Sequence, residues 1–232
     1  GNTAIKLGVF KQNELQEIQR FDSFETLSTK LSSEYPIILA SVRADDFAQK
    51  LRKQFAIYEI STRSLLPFIN RYQGNLGADR LCNVSGMYAA LKKNSNLGGG
   101  LAIDIGTCVK FDYLNSEFVY LGGSISPGIK IKLKSLNDYT ALLPLLTAPY
   151  PIFDLYGNST ESSMFAGVLG GIKGEIAWRM ENYRKLDPNI TIFITGGDAR
   201  HFDLAQKNDI FADENLTLKG IHEIYLFNAL HS

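Results

Sequence analysis

The pattern that opens this chain starts again near its middle. "GNTAIKLGVF" (residues 1–10) and "LAIDIGTCVKFD" (101–112) each set a small turn with Gly and Thr against residues of strand-like alternation. A chain that restarts in this way folds as two repeated units, or as one domain with two unrelated hairpins of similar appearance. Both readings leave glycine-containing turns at strand ends. Such turns matter chemically, because glycine lets the backbone approach a bulky anion and successive N–H groups can converge on its oxygens. Asp104 stands before the second turn, Gly106–Thr107, where a carboxylate could hold a cation beside that anion. No acid precedes Gly1–Asn2–Thr3 in this sequence.

Between and after these segments strands and helices alternate, which is the mark of an α/β fold. "TAIKLGVF" and "ELQEIQRF" read as strands joined by a turn near Lys11–Asn13, and Ser23 stands where a helix N-cap belongs. "PIILASV" and "AIYEI" read as strands. Between them "ADDFAQKLRKQF" reads as a helix with Phe47, Leu51 and Phe55 on one face, and residues 77–93 form the next helix. The turn-rich "NSNLGGG" (94–100) divides the chain into expected domains at 1–98 and 99–232. The second half begins with three strands, "GLAIDIG", "CVKFDYL" and "EFVYLGG", followed by a helix over 128–139 and a Pro-punctuated irregular stretch. Met164, Val168, Ile172, Ile176 and Met180 recur at helical spacing along 160–184. "ITIFITGG" is a buried strand, and "EIYLFNAL" fits either a strand or a helix.

Composition narrows the class. The 232 residues are 45% hydrophobic and 21% charged, enough apolar mass for a core. Lys+Arg and Asp+Glu both number 24, so no general nucleic-acid or anionic-membrane surface is expected. Cys82 and Cys108 make neither a disulfide framework nor a zinc site and are expected to be packing thiols. His201, His222 and His231 are scattered and form no triad. Without an apolar run of membrane length or a signal peptide, a cytoplasmic location is expected.

Four further stretches, "LGADR" (76–80), "GGSISPGI" (122–129), "GNSTESSM" (157–164) and "ITGGDA" (194–199), complete a set. With the two Gly-Thr segments they stand in the order found in type III pantothenate kinase, which the chain resembles over its whole length. The resemblance implies the acetate-and-sugar-kinase/Hsp70/actin fold, two duplicated RNase-H-like domains with ATP in the interdomain cleft. It also implies transfer of the ATP γ-phosphate to the 4′-hydroxyl of pantothenate, the first step of coenzyme A synthesis.

The resemblance implies residue roles as well. Asp79 of "GADR" would be the general base, and Gly77, Ala78 and Arg80 would belong to the pantothenate pocket. A carboxylate suits proton removal from a primary alcohol, and a guanidinium suits a substrate bearing a carboxylate. Read alone, Asp79–Arg80 is an ordinary charge pair at a helix start. Thr160 would touch substrate, or serve as the N-cap of the helix that follows it. Asn2, Thr3 and Lys6, with Gly1, match the first phosphate motif; Gly106 and Thr107 match the second; Gly196 and Gly197 resemble the adenosine-side turn. Asp104 resembles the ligand of a monovalent cation, K⁺ or NH₄⁺, and Mg²⁺ is the default companion of ATP. Gly122, Gly123 and Gly128 read equally as architectural positions.

Three departures mark this chain within the resemblance. The first motif commonly has an Asp two residues before its Gly, and here the sequence opens on that Gly. The second motif has Cys108 where Ala is common and Lys110 where Thr is common; Lys110 reads as a strand-surface residue or as a phosphate ligand. The Tyr common seven residues before the Gly of "GADR" is replaced by Asn70, with Tyr72 five before, delivered to the pocket if the loop is shorter. Gly167, Gly170, Gly171 and Gly174 give the long helix a small face for packing within the chain or against a second subunit, and the resemblance implies a homodimer. Two other readings compete with the kinase: a non-catalytic relative acting as a transcriptional accessory factor, and a related kinase of another small alcohol or sugar.

Overall fold

The computed structural model describes residues 5–42, 46–94, 98–152, 154–204 and 209–231. In chain order its elements are β1 (Ile5–Lys11), β2 (Glu14–Phe21), α1 (Phe24–Ser28), β3 (Ile37–Leu39), α2 (Phe47–Gln54), β4 (Ile57–Glu59), β5 (Ile69–Asn70) and α3 (Ala78–Lys93). There follow β6 (Gly100–Ile105), β7 (Cys108–Leu114), β8 (Val119–Pro127), α4 (Ile129–Asp138), α5 (Thr160–Leu186), β9 (Thr191–Thr195), β10 (Ile210–Ala212) and α6 (Leu216–His231). The chain divides into two compact units. Unit 1 comprises Gly1–Asn96, Leu114–Gly122 and Asn215–Ser232; unit 2 comprises Leu97–Tyr113 and Gly123–Glu214. A single boundary at 98/99 does not describe this division, because two later segments return to the first unit.

In unit 1, β1 and β2 form an antiparallel hairpin in which Lys11 pairs with Glu14. The two residues between them, Gln12 and Asn13, both have positive φ (52° and 65°), the turn geometry whose twist matches that of the flanking strands. Ser23 caps α1, its hydroxyl accepting from the Thr26 N–H at 3.3 Å. β3 and β4 pair in parallel with α2 between them in the chain, a strand–helix–strand step. Phe47 and Leu51 of α2 are buried with Leu27, and Ile5, Leu7 and Phe21 of the hairpin pack against them.

The other part of unit 1 rests on α3 and α6. Helix α3 is buried along most of its length, Leu81, Cys82, Val84 and Met87 being wholly inaccessible. Two glycines let α6 lie directly on it: a Cβ on Gly220 would overlap the Cys82 carbonyl, and one on Gly86 would overlap the carbonyl of Leu216. Thr217 adds a hydroxyl that donates to Asn83 Oδ1 at 2.6 Å. "EIYLFNAL" therefore lies within a helix.

Unit 2 is built on the strand order β10-β9-β6-β7-β8. β6 and β9 run parallel, Gly100 opposite Thr191 and Asp104 opposite Thr195. β8 is longer than the sequence pattern indicates. Its first residues, Val119 and Tyr120, lie in unit 1, where they pair in parallel with Ile69 and Asn70 of β5. Met164, Val168, Ile172, Ile176 and Met180 of α5 are all buried against the sheet residues Leu101, Ile103, Phe111 and Ile192, as the helical spacing requires. The start of α5 is a capping box. Ser159 Oγ accepts from the Ser162 N–H at 3.2 Å, and Ser162 Oγ accepts from the Ser159 N–H at 2.9 Å. The N-cap is thus Ser159, which corrects by one residue the capping role read for Thr160.

Candidate functional site

The phosphate-type turn of unit 2 forms where two parallel strands end together. Asp104, one residue before the end of β6, lies opposite Thr195, the last residue of β9, so the segments leaving both strands emerge on one edge, the edge at which open α/β sheets bind ligands. The Gly106–Thr107 turn follows. Gly106 N–H donates to the Cys108 carbonyl at 3.1 Å, and the Thr107 carbonyl accepts from Gly128 N–H at 3.0 Å. Gly128 begins α4, and a Cβ there would overlap the carbonyls of Gly106 and Thr107. This glycine is needed for packing, and it seats the turn on the start of a helix. Thr107 itself is exposed.

Gly196, just after β9, has φ +98°, and a Cβ on it would stand 2.6 Å from both Asp104 Oδ1 and the Ile105 nitrogen. Asp198 N–H donates to the Ile105 carbonyl at 2.9 Å, tying the two strand ends together. Gly197 is different: it is exposed, and a Cβ there meets nothing within 4 Å. Asp104, Gly106, Thr107 and Gly196 are therefore one cluster, with Gly197 at its edge.

Lys110 belongs to this cluster too. Its ammonium lies 2.6 Å from Asp104 Oδ2, with the two side chains 15% and 16% exposed. Reading Lys110 as strand decoration is corrected by that ion pair, formed because β7 folds back beside β6. The finding also bears on the monovalent cation. The carboxylate that the resemblance assigns to K⁺ or NH₄⁺ already carries a cationic group, so the residues present do not fit an added ion at that oxygen.

The "GADR" segment forms the start of α3 in unit 1. Gly77 is the N-cap in extended conformation, Ala78 is buried, and Asp79 is half-buried in the first turn, where the helix dipole favours a negative charge. Asp79 Oδ1 accepts from the Arg80 N–H at 2.9 Å. A Cβ on residue 77 would stand 2.7 Å from that same oxygen, so glycine keeps the space beside the carboxylate open.

Arg80 is 4% exposed. Its guanidinium donates to the Tyr120 hydroxyl at 2.8 Å and to the Tyr72 hydroxyl at 3.4 Å, and it lies 5.1 Å from the centre of the Tyr72 ring. The two tyrosine rings stack 6.0 Å apart. Tyr72 thus sits beside Arg80, one residue from Asp79. Asn70, at the position where the resemblance leads one to expect a tyrosine, accepts the Tyr72 N–H on its side-chain oxygen at 2.9 Å and so fixes the loop. Gly122, with φ +110°, lies against the Tyr72 ring. Tyr120 and the Lys110 pair are the components missed by sequence reasoning. A tyrosine within an apolar strand gives no signal that its hydroxyl meets a guanidinium from a helix.

Of the remaining candidates, Lys6 is half-buried on β1 opposite Arg20, and Thr160 is exposed at the first position of α5. Gly1, Asn2 and Thr3 lie outside the described residues. Burial pushes the Cys82 thiol far above its ordinary pKa, with the Asp79 charge adding to the effect, which makes it a packing group and not a nucleophile. No helix among the described residues is long and apolar enough to cross a membrane.

Comparison with known proteins agrees with these motifs. The family model for type III pantothenate kinase matches residues 1–181. A type III pantothenate kinase of Christiangramia forsetii is 38% identical over 239 aligned positions, covering 98% of this chain and 96% of its own. One from Phocaeicola vulgatus is 38% identical over 240, with coverages of 98% and 96%. Among solved structures, one assigned to the Baf family of transcriptional activators, from Campylobacter jejuni, matches with a TM-score of 0.60 at 20% identity over 92% of each chain, a likeness of fold alone.

Proposed function

The chain belongs to the type III pantothenate kinase family, and on that premise we propose how its own residues carry the reaction. The activity is ATP-dependent phosphorylation of pantothenate in coenzyme A biosynthesis, on the two-part α/β fold of the acetate-and-sugar-kinase/Hsp70/actin type. Unit 1 supplies the acceptor side and unit 2 the phosphate-binding turn.

Asp79 takes the proton from the 4′-hydroxyl of pantothenate as its oxygen bonds to the γ-phosphorus and the bond to the β-phosphate oxygen breaks, leaving ADP and 4′-phosphopantothenate. The observation that carries this reading is the placement of Asp79 at the open first turn of α3, next to the Arg80–Tyr72–Tyr120 cluster. Arg80 is buried and holds both tyrosines, so in this reading it orients the pocket wall while Tyr72 faces substrate. The turn at Gly106–Thr107 receives phosphate oxygens through the hydroxyl of the exposed Thr107, with Gly106 shaping the turn, as do Asn2, Thr3 and Lys6 on the first motif. Gly196–Gly197 lie on the adenosine side, and Thr160 contacts pantothenate. A divalent ion such as Mg²⁺, bound with ATP, would offset its phosphate charge. The enzyme is cytoplasmic and works as a homodimer.

The test is coupled-assay turnover of pantothenate with ATP by the full-length protein and by Asp79→Asn. The substitution keeps the shape and removes the proton acceptor, so the rate is expected to fall by about 10²–10⁴. Full activity in Asp79→Asn would remove the base role, and absence of turnover in the wild type would remove the substrate assignment.

A further inference from the structure

We propose that Lys110 is a built-in replacement for the monovalent cation: its ammonium, tethered to β7, stands beside Asp104 where an added K⁺ or NH₄⁺ ion would otherwise act, so the phosphate-binding turn works without that ion. The inference rests on reading Gly106–Thr107 as the phosphate turn of a kinase.

The geometry is that of a charge-assisted contact, 2.6 Å from Lys110 Nζ to Asp104 Oδ2. Side-chain exposures of 15% and 16% place the pair away from bulk water, where salt does little to screen it. The other carboxylate oxygen, Oδ1, faces Gly196, where even a Cβ would come within 2.6 Å. Asp104 thus has Gly196 beside one oxygen and the Lys110 ammonium beside the other. Carboxylate plus ammonium sums to zero charge, as carboxylate plus K⁺ does, so an arriving phosphate meets the same local balance. A free ion added there would set two cations against one carboxylate in a poorly hydrated place, and like charges at such range repel. Tethering also removes the concentration dependence of a diffusible ion, because the ammonium is held at high effective concentration. The residue responsible is one of those by which this chain departs from its family's common motif, a lysine in place of threonine at position 110.

The experiment measures affinity for a fluorescent ATP analogue, and the melting temperature, in choline chloride and in KCl at equal ionic strength. Wild type, Lys110→Thr and Lys110→Gln are compared. For the wild type, exchanging choline for K⁺ is expected to change affinity by less than about twofold and to leave the melting temperature unmoved. In choline, Lys110→Thr and Lys110→Gln should bind the analogue at least about tenfold more weakly, since Asp104 has lost its counter-charge. In Lys110→Thr, K⁺ or NH₄⁺ should restore affinity and raise the melting temperature. Wild-type affinity that rises about tenfold or more with K⁺ would overturn the proposal. So would variants that bind as wild type does in choline. If neither variant melts cooperatively, the wild-type ion series decides alone. None of these readouts uses pantothenate. A protein that binds nucleotide without K⁺ yet fails to phosphorylate pantothenate refutes the substrate reading only, and one that phosphorylates pantothenate but needs K⁺ refutes this inference only.

Discussion

A single Cβ separates the roles of the two glycines that follow β9. At Gly196 the backbone has φ +98°, and the added carbon would press on Ile105 and the Asp104 carboxylate; at Gly197 it would meet nothing within 4 Å. Gly196→Ala is therefore expected to lower stability by about 2–4 kcal/mol from backbone strain and overpacking, and to weaken nucleotide binding by displacing Asp104. Gly197→Ala should leave the folding free energy within about 0.5 kcal/mol of wild type. Urea denaturation with an ATP-analogue titration checks both, and equal effects at the two positions would contradict the geometry. At this scale the sequence was informative where the chemistry is local. Asp104, Gly106 and Thr107 stand within four positions and could be read together. Arg80 and Tyr120 could not, because forty positions separate them and only the placement of β8 beside β5 makes them neighbours. Lys110 was seen, but its partner lies on the adjacent strand, and alternation along one strand says nothing about the next.

Among the elements, α3 is the one on which the proposed base depends, since its first turn holds Asp79 and Arg80. Its bed is α6, and the two meet backbone to backbone at Gly86 and Gly220. A methyl group at position 220 has no flexible neighbour to push aside, because it would fall on a helix carbonyl. Gly220→Ala is expected to cost roughly 2–3 kcal/mol by overpacking, read as a lower urea midpoint at unchanged slope. A midpoint equal to that of wild type would show that the helices part freely. Helix α5 was legible from its apolar spacing alone, since one face of it enters the core. Helix α6 was not. "EIYLFNAL" alternates loosely enough for a strand, and a helix apolar on several sides loses the contrast on which periodicity depends. The capping of α5 was misplaced by one residue because Ser159 and Thr160 are both competent caps, and only backbone angles choose between them.

For the whole molecule, the repeated opening pattern left two repeated units and two unrelated hairpins both open, and the chain divides into two compact units whose bounds differ from the expected 1–98 and 99–232. Their composition was not legible, because a linear reading cannot see that residues 114–122 and the 215–232 segment join the first unit. On α5 the glycines 167, 171 and 174 are exposed, with open space where each Cβ would lie, and Trp178 on the same helix is 58% exposed. Packing within the described chain does not use that face, which is where the proposed second subunit is expected to pack. Light scattering after size exclusion is expected to give twice the 25.8 kDa chain mass at micromolar concentration; a monomer there would exclude the homodimer. The return of α6 to unit 1 also sets an order on synthesis. A ribosome makes the helix bearing Asp79 early, yet the surface that covers its Gly86 face is translated only after the whole of unit 2. Unit 1 is begun before unit 2 and completed after it, and until then the apolar flank of α3 is a site that a chaperone can hold.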